Sequence, residues 1–478
     1  MTIVIMKFGG SCLVDEKAFQ KIIDISKIYE NKKKIYVASA LNKVTDLLLV
    51  TAQNVNNSTL LDNNMAIIEK KHFDIIEQIF EEDSEHYMSV KKWIDEKLSD
   101  LEDIFSDIRE FGLEPYYQDL VLSYGETLST YILNEFLLSK GLDSVFIPSK
   151  DIIITNDEFN NAYPLYAWTN PRIERSVIPL LENPKKDVII CITGFIGRNK
   201  IGNITTLGRG GSDYTASILA HSIYEVGNDK DISVILWKDV NGLLAINPKY
   251  IPNSTLIRNL DYDEAKHVAN FGAKVLHPKC LEAIEKHQIP LEIRNFDYPM
   301  EKLNYTRISE HSDRSEIKGI SAEEDATIIT IASGTLVDVP GVLAKMFKVM
   351  SKKNISVSLV AQSASEISTS FIINTEDTDI ALKALRDSEF FSDFFEIKHE
   401  EVAILNITGA KVLENSTKVT IFKALDEKNI HVKAITQGTE ELNLSLVLKR
   451  EDLTSAVNLI HEHLCENSET GFCREQPL

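Results

Sequence analysis

Two stretches in the last third of the chain repeat one another without a gap. FKVMSKKNISVSLVAQSASEISTSFII begins at Phe347 and FKALDEKNIHVKAITQGTEELNLSLVL begins at Phe422, at an offset of 75 residues. Phe-Lys, Lys-Asn-Ile and single valine, glutamine, glutamate and serine positions recur in register. Each copy has the pattern of one helix followed by two strands. The repeat therefore predicts two small α+β modules in tandem.

A polar segment separates these modules from the longer part of the chain. ISEHSDRSEIKGIS, residues 308–321, interrupts the hydrophobic pattern, as a linker does. We predict a large unit over residues 1–307, a first module over 316–395 and a second module over 396–478.

Strand-like and helix-like stretches alternate before this segment. Helical patterns such as Glu16–Tyr29 and Glu264–Asn270 separate six short β-branched runs. The runs are Ile3–Met6, Lys34–Ser39, Ser144–Ile147, Val188–Thr193, Ser233–Trp237 and Pro290–Arg294. This alternation predicts an α/β fold in which helices flank a sheet. Residues 60–109 are long, charged and helical in pattern, and we expect them to form a solvated helical excursion from the core.

The charge balance narrows the classes of function. With 51 basic and 72 acidic residues the formal net charge is −21, which argues against a partner that is a nucleic acid. No apolar run approaches the ~18 residues of a membrane helix, and no signal-peptide pattern is visible, so we expect no membrane partner. Five scattered cysteines favour reduced thiols and a cytoplasmic location.

Two glycine loops supply the few places where an acidic protein would bind anions. KFGGS, from Lys7 to Ser11, follows the first strand and precedes a helix, so its amides and lysine suit phosphate oxygens. TLGRGGSDYTA, residues 206–216, places Arg209 among glycines and Asp213 at the start of a helix. A guanidinium suits a carboxylate, whereas Asp213 would orient a lysine or help to hold a metal. The competing interpretations are a structural turn, a solvated arginine and a helix cap.

A third stretch, SYGETLS, presents Glu126 directly after a glycine. A carboxylate at this place would receive a substrate ammonium, and the competing interpretation is an ordinary residue on a helix surface. TGFIGRN, residues 193–199, has the pattern of a strand that ends in a ligand-binding loop.

These stretches together carry a family resemblance. KFGGS, SYGETLS, TGFIGRNKIGNITTLGRGGSDYTA, LWKDVNGLLAINPK and FGAKVLHP occur in the order seen in aspartate kinases. Over nearly its whole length the chain resembles a monofunctional aspartokinase of the amino-acid kinase family, and its repeat resembles paired ACT modules. The resemblance implies an α/β sheet sandwiched by helices, followed by two α+β ACT-like modules. It also implies ATP-dependent phosphorylation of the β-carboxylate of L-aspartate to 4-phospho-L-aspartate, in amino-acid biosynthesis.

The resemblance also implies a role for each site residue. Lys7 and Asp213 would be catalytic, with Asp213 positioning Lys7. The expected phosphate and ATP contacts are Lys7, Phe8, Gly9, Gly10, Ser11, Gly210, Gly211, Lys238, Asp239, Leu244, Asn247 and Lys274. The expected aspartate contacts are Ser39, Thr45, Glu126, Phe195, Arg209 and Ser212. Mg²⁺ would be held mainly by the nucleotide phosphates, with no metal ligand from the protein.

The nucleotide strip departs from the family pattern. Trp-Thr-Asp-Val-Asp-Gly-Ile-Tyr-Thr-Ala-Asp-Pro is usual where WKDVNGLLAINP stands, so Lys238, Asn241, Leu244 and Asn247 are changes. Thr127 likewise stands where arginine is usual. The loss of the tyrosine removes an aromatic contact with the nucleotide, and we expect Lys238 to offset lost contacts with an added cation.

The repeat is expected to bind an amino-acid effector, either threonine or lysine. VDVPGVLAKMF gives the first module a Pro340-Gly341 turn that enters a helix, whereas Ser416 replaces the glycine in the second module. The predicted effector contacts are Val339, Gly341, Val342, Leu343, Ser356, Val357, Gln362 and Gln437. Such modules pair edge to edge, so a homodimer or homotetramer is expected.

Two rival interpretations stay open. One is a kinase of the same fold that acts on glutamate or an acylated amino acid, and the other is a catalytically impaired amino-acid sensor whose nucleotide strip has decayed. Glu126 and the tandem repeat argue against the first rival, and intact Lys7, Arg209 and Asp213 argue against the second.

Overall fold

A computed structural model describes residues 2–183, 187–228, 230–271, 275–299, 304–310, 316–333, 340–362, 368–438 and 442–466. Lys274 and Val339 of the predicted site residues lie outside these ranges. Among the described helices, not one has an apolar stretch of the length that crossing a bilayer requires.

A central sheet organises the first three hundred residues. Its eight strands run in the order β3-β5-β2-β1-β8-β10-β11-β9, and β1 pairs in parallel with both β2 and β8. A separate three-stranded sheet has the order β4-β6-β7. The strands are β1 (Ile3–Phe8), β2 (Lys33–Ala38), β3 (Ser144–Ile147), β4 (Ile154–Thr155), β5 (Ile189–Thr193), β6 (Ile196–Asn199), β7 (Ile204–Thr206), β8 (Ile232–Lys238), β9 (Asn259–Leu260), β10 (Leu291–Asn295) and β11 (Tyr305–Ile308). All six runs predicted from the sequence are strands of the main sheet.

Helices cover both faces of this sheet. Because side chains alternate along a strand, Ile3 and Ile5 of β1 enter one apolar cluster while Val4, Met6 and Phe8 enter the other. The helices are α1 (Glu16–Ile28), α2 (Val44–Gln53), α3 (Ser58–Ile79), α4 (Glu85–Phe111), α5 (Pro115–Ser139), α6 (Ser149–Ile152), α7 (Tyr166–Ser176), α8 (Ile178–Leu181), α9 (Gly211–Val226), α10 (Tyr262–Phe271) and α11 (Pro278–Glu285). Helices α1 to α5 pack on one face, and α7 to α11 pack on the other. The predicted sandwich is confirmed.

The prediction of a solvated excursion at residues 60–109 is wrong. Helices α3 and α4 form there, but Ile68, Ile76, Val90 and Ile94 are fully buried in the same cluster as α1 and α5. The charged residues that dominate the sequence occupy only the outer face of each helix. An apolar stripe at helical spacing is enough to bury the other face.

The repeat forms a single six-stranded antiparallel sheet. Its order is β13-β14-β12-β15-β17-β16, so the long strands β12 and β15 join the two modules. The elements are β12 (Gly319–Ala332), α12 (Val342–Ser351), β13 (Leu359–Gln362), β14 (Ser368–Asn374), α13 (Thr378–Arg386), α14 (Glu389–Phe394), β15 (Glu396–Thr408), α15 (Asn415–Asp426), β16 (Ala434–Thr436), β17 (Asn443–Lys449) and α16 (Leu453–Glu466). The predicted order of helix, strand and strand recurs as α12-β13-β14 and α15-β16-β17. The domain limits given above stay predictions.

The two modules differ in how they join the rest of the molecule. Residues of α15, α16 and β17 belong to the same apolar cluster as α9 and α11. The helices of the first module have an apolar cluster of their own, which includes Met346, Phe371 and Phe391. The second module is therefore continuous with the large unit. Of the first module, residues at the start of β12 such as Ile320 belong to that cluster, whereas its helices do not.

Polar contacts also connect the large unit to the start of β12. Ile320 donates its amide to the carbonyl of Ala245 at 2.7 Å. The Glu324 carboxylate accepts from Lys249 at 2.7 Å and from the Tyr250 hydroxyl at 2.6 Å. Glu324 lies where the pairing of β12 with β15 shifts register, a bulge that turns its side chain toward the large unit.

The cysteines fall into two groups. Cys12, Cys191 and Cys280 are free and buried, as the sequence predicted. Cys465 in α16 is disulfide-bonded, so the expectation of reduced thiols is wrong for this residue.

Candidate functional site

Four parallel strands of the main sheet end at one edge. The register places Phe8 of β1 beside Ala38 of β2 and Trp237 of β8, and Ala38 beside Thr193 of β5. The segments that follow these strands are 9–11, 39–40, 194–195 and 238–239. Several predicted site residues lie in these segments, since ligands of open α/β sheets bind outside the carboxyl ends of the strands. They are Gly9, Gly10, Ser11, Ser39, Phe195, Lys238 and Asp239.

A buried cluster of two lysines and one aspartate forms the centre of this edge. Nζ of Lys7 lies 2.8 Å from Oδ1 of Asp213, and Nζ of Lys238 lies 2.5 Å from Oδ2. Lys7 is 7% exposed and Asp213 is 3% exposed. The structure thus brings the lysine after the first strand to the aspartate of the second glycine loop.

The two ammonium groups determine the charge of this cluster. Burial by itself would raise the pKa of Asp213, but the charges of Lys7 and Lys238 outweigh it and the pKa falls below its ordinary value. Burial by itself would lower the pKa of Lys7, but Asp213 reverses that and the pKa rises. Lys7 and Asp213 are therefore an ionised pair at neutral pH, and Lys238 contacts the other oxygen of the same carboxylate.

Helix α9 brings Asp213 to this position. Gly210, with φ of 71°, is the N-cap, and no side chain caps the helix. Asp213 lies in the first turn and contacts the lysines, so the alternative that it is merely a helix cap is wrong. Since the positive end of the helix points to the same edge, the amides of the first turn add to the attraction for an anion.

Close backbone contacts hold the loop before α9 in place. A Cβ at Gly194 would lie 2.5 Å from Cβ of Ser212, and one at Gly211 would lie 2.5 Å from the Phe195 ring. Phe195 itself has φ of 67°, a conformation that is costly for an aromatic residue and is found mostly at functional sites. Its amide donates to the hydroxyl of Thr215 at 2.9 Å. Sequence reasoning missed both Gly194 and Thr215.

Glu126 is a buried carboxylate and not a residue on a helix surface. It lies inside α5, is 4% exposed, and its Oε2 has no hydrogen-bond partner among the described residues. Burial raises its pKa to about 8, although the Ala40 amide and the charge of Lys7 act in the opposite direction. Gly125 permits this approach, since a Cβ there would lie 2.8 Å from Cβ of Ala40. A carboxyl group of this kind has room for a cationic partner.

Comparison with known proteins gives the family. The model of the amino acid kinase family matches residues 2–295, and the ACT domain model matches residues 329–388 and 406–464. The chain belongs to the amino acid kinase family.

Several relatives of this amino acid kinase cover it almost completely. It is 28% identical to the bifunctional aspartokinase/homoserine dehydrogenase of Buchnera aphidicola, over 98% of this chain and 57% of the relative. It is 28% identical to chloroplastic aspartokinase 1 of Arabidopsis thaliana, over 99% of this chain and 82% of that protein. The chain spans about half the length of most of the curated relatives compared here.

Solved structures agree with this. The structure of Escherichia coli aspartokinase III in complex with aspartate and ADP has a TM-score of 0.81 and 25% identity, and covers 97% of this chain and 100% of that chain. The complex of the same E. coli protein with lysine and aspartate has a TM-score of 0.77 and 26% identity, and covers 97% and 99%. The resemblance to aspartokinases that the sequence motifs indicated is confirmed.

The predicted aspartate contacts differ in their exposure in this amino acid kinase. Ser39 and Thr45 are half-buried, Ser212 is buried and Arg209 is exposed. Arg209 precedes the N-cap of α9. Burial lowers the pKa of His277, the charge of Arg209 also lowers it, and the charge of Asp213 acts in the opposite direction. His277 caps α11 by accepting from the amide of Lys279.

The predicted nucleotide contacts are of three kinds. Gly9, Gly10 and Ser11 lie in the turn after β1, whereas the Phe8 ring is fully buried against Tyr36 and Phe296 and leaves only its backbone for a ligand. Asp239 is exposed beside Lys238, and Leu244 is half-buried. The side chain of Asn247 caps a turn by accepting from the amide of Lys249 at 2.9 Å. An aspartate, which is usual at this place in the family, could accept the same hydrogen bond.

The predicted effector contacts lie in both modules. Gly341, with φ of 91°, is the N-cap of α12, and Val342 and Leu343 follow in the first turn. Ser356, Val357 and Gln362 lie next to or within β13. Gln437 follows β16 and donates to the carbonyl of Val412 at 3.2 Å, so this glutamine already has a partner within its own module.

Asp119 is a residue that sequence reasoning did not single out. Buried in α5, it accepts from the amides of Asn160 and Thr206 and from the Thr206 hydroxyl at 2.7–3.1 Å. It thereby fixes β7, which leads into the Arg209 loop, to the helix that carries Glu126. An aspartate within an apolar helical stretch was the signal available for finding it.

Proposed function

We propose that the chain catalyses ATP-dependent phosphorylation of the β-carboxylate of L-aspartate, which gives 4-phospho-L-aspartate. The observation that carries the proposal is the Lys7–Asp213–Lys238 cluster at the carboxyl edge of the sheet. The charge of Lys7 also acts on the buried Glu126, whose Oε2 has no hydrogen-bond partner among the described residues. The likeness to E. coli aspartokinase III, solved with aspartate and ADP, supports the proposal.

The chemistry needs cations rather than a base. A β-carboxylate is ionised at neutral pH, so no proton has to be removed before it attacks the γ-phosphorus of ATP. The obstacle is repulsion between two anions, which Lys7, Lys238 and the amides of Gly9 and Gly10 reduce. In-line positioning and charge neutralisation are the main protein contributions to phosphoryl transfer.

Substrate selection in this proposal depends on Glu126 and Arg209. The ammonium of aspartate would pair with the buried Glu126 carboxylate, and its α-carboxylate with the Arg209 guanidinium. Ser39, Thr45, Phe195 and Ser212 would complete the pocket. An acylated amino acid has no ammonium, so it would leave Glu126 without a partner.

The arrangement of charges bears on how Mg²⁺ would be held. Both oxygens of Asp213 already contact ammonium groups, so this carboxylate is a poor ligand for a further cation. The donor set therefore fits a Mg²⁺ that is bound through the phosphates of ATP, whose charge it would partly neutralise.

Hydroxamate formation with ATP and either aspartate or glutamate tests the proposal. We expect hydroxamate from aspartate, little from glutamate, and a loss of at least about 100-fold in kcat when Lys7→Ala removes the central cation. A preference for glutamate would point to another kinase of this fold. Aspartate binding without turnover would point to a sensor.

The C-terminal modules extend the proposal to regulation. We expect an amino-acid effector, threonine or lysine, to inhibit the enzyme through the first module. Homo-oligomer formation through the modules and a cytoplasmic location are part of the same proposal. The lysine complex of E. coli aspartokinase III supports regulation by an amino acid. Assays with lysine, threonine and methionine test it, and a lack of response to all three would remove the regulatory claim.

A further inference from the structure

A second cluster of polar groups lies at the other end of α9. His221 and Glu225 stand one turn apart in this helix, and His287 lies in the turn between α11 and β10. One ligand atom from each of the three residues falls within 4.8 Å of the others. Among the described residues this is the one group of histidine, cysteine and carboxylate side chains with such spacing.

The hydrogen bonds of the cluster orient the two imidazoles. Nδ1 of His221 contacts the carbonyl of Ala283 at 2.9 Å. If Nδ1 carries the proton, Nε2 is left with its lone pair free, and metal-binding histidines are commonly held through such a bond to a carbonyl. The side chain of His287 is only 10% exposed, and its Nε2 lies 2.8 Å from Oε1 of Glu225. This contact places an imidazole nitrogen of one residue beside a carboxylate oxygen of the other.

The turn that carries His287 is itself fixed. The amide of Ile289 donates to the carbonyl of Ile284, and the amide of His287 donates to the same carbonyl, at 3.2 Å each. His221 is 8% exposed and packs between Tyr166 and His287, with ring centroids 4.1 and 4.7 Å away. The ligand atoms are thus held in place by packing before any metal arrives.

We propose that His221, Glu225 and His287 form a binding site for a zinc ion. Two imidazole nitrogens and one carboxylate oxygen are a ligand set that Zn²⁺ prefers, and water would complete a tetrahedron. The site would fasten the end of α9 to the turn before β10, in the helix whose first turn carries Asp213.

One neighbouring cation competes with the metal. Nζ of Lys286 lies 2.8 Å from Oε1 of Glu225, but its side chain is 68% exposed and free to move into solvent. Zinc would displace it, so the variant Lys286→Ala is expected to bind zinc as tightly as the parent chain or more tightly. This response would distinguish a metal site from a simple ion pair.

Zinc titration of the full chain tests the proposal after chelator treatment, with a chromophoric chelator as competitor and elemental analysis for stoichiometry. We expect one zinc ion per chain. Glu225→Gln should weaken binding by more than about tenfold, and His287→Gln by more than about 100-fold, since even residues that only support ligands matter by about 10–100-fold. Co²⁺ in place of zinc should give a visible absorption band that both variants lose.

Two controls make the outcome decisive. His399→Ala removes an exposed histidine of β15 and should leave zinc affinity unchanged. In excess chelator, Glu225→Gln should melt close to the parent chain, and only the parent chain should gain stability when zinc is restored. Zinc affinity of the parent chain no higher than that of His287→Gln, or weaker binding by Lys286→Ala, would overturn the proposal and leave a stack of aromatic rings in its place.

Discussion

Lys238 is the residue whose role changes most between sequence and structure. The sequence placed it near the nucleotide as an added cation, whereas it also makes a 2.5 Å contact with Asp213. A neutral side chain there would leave Asp213 with Lys7 alone and would remove one positive charge from the site. The departure from the family's usual threonine therefore affects the catalytic cluster as well as nucleotide binding.

Lys238→Met should raise the KM for ATP by about tenfold or more, since a hydrogen bond to a charged group contributes about 1.5–3 kcal/mol. Steady-state kinetics at saturating aspartate measure the change. Lys27→Met, which alters a lysine whose side chain is 68% exposed, is the control. An unchanged KM for ATP in Lys238→Met would mean that Lys238 serves only to hold Asp213.

The Glu126 carboxylate is predicted to lower the stability of the fold while it contributes to the binding of aspartate. Its pKa is about 8 in the folded protein and about 4.3 in an unfolded chain. Between these values the folded state binds the extra proton, so stability falls as pH rises and the loss is complete above about pH 8.

At pH 8, Glu126→Gln should therefore have a free energy of unfolding about 1–3 kcal/mol higher than that of the parent chain, and should melt at a higher temperature. Its affinity for aspartate should fall. Thermal melts at pH 6 and pH 8 check this, because the advantage should shrink at the lower pH. Glu102→Gln, on the exposed face of α4, is the matched control. A lower melting temperature of Glu126→Gln at pH 8 would contradict the assigned pKa.

At the scale of single residues, the sequence predicted which side chains have suitable chemistry. It did not predict all the contacts that these side chains make with one another. Lys7, Glu126, Arg209 and Asp213 were identified by residue type and position beside glycines. The pairing of Asp213 with Lys238 was not foreseen, because threonine is usual at position 238 in the family pattern and the resemblance therefore implied no ion pair there. The positive φ of Phe195 has no sequence signal at all, since aromatic residues rarely adopt it.

Helices and strands were predicted correctly where the hydrophobic period and the length of the segment indicated the same element. The six strands and the repeat followed from β-branched runs and self-similarity. The short strands β4, β6 and β7 were missed because segments of two to four residues are too short to show a hydrophobic period. Helices α3 and α4 were found but misplaced, because the charged residues of their outer faces concealed the stripe that packs into the core.

Adjacent glycines after β1 give a test at the scale of one turn. A Cβ at Gly9 would meet nothing closer than 3.6 Å, whereas one at Gly10 would lie 2.8 Å from the carbonyl of Ala40. Gly9→Ala should therefore fold with nearly unchanged stability yet raise the KM for ATP at least about tenfold, by keeping phosphate away from the amides. Gly10→Ala should instead lower stability by about 1–3 kcal/mol.

Thermal melts and ATP kinetics of the two alanine variants separate these effects. If Gly9→Ala binds ATP normally, the turn after β1 does not hold the phosphates. If Gly10→Ala melts like the parent chain, the approach to Ala40 is looser than the structure has it.

At the scale of the whole molecule, the helices of the first module are packed separately from the helices that carry the candidate site. They have an apolar cluster of their own, while the second module shares one with α9. Strand β12 is a direct connection between the first module and the large unit, because Glu324 joins it to Lys249 and Tyr250. These two residues follow Asn247 in the nucleotide strip.

Glu324→Gln should weaken the response to an effector while leaving kcat within about twofold, because the contact lies outside the site and an allosteric coupling of about 1–3 kcal/mol is typical. Inhibition curves for lysine and threonine measure it. Tyr250→Phe removes one hydrogen bond of the same contact and should have a smaller effect in the same direction. An unaltered half-inhibitory concentration in Glu324→Gln would place the coupling elsewhere.

Strand β12 has 14 residues, which makes it a rod of roughly 45 Å. One end touches the loop that would cradle the nucleotide, and the other forms the middle of the first module. A strand of this length converts a small rotation at the first module into a displacement of ångströms at its other end, next to the loop that would bind the nucleotide. An effector that is no larger than the substrate would thus have enough leverage to halt the reaction without ever coming near it.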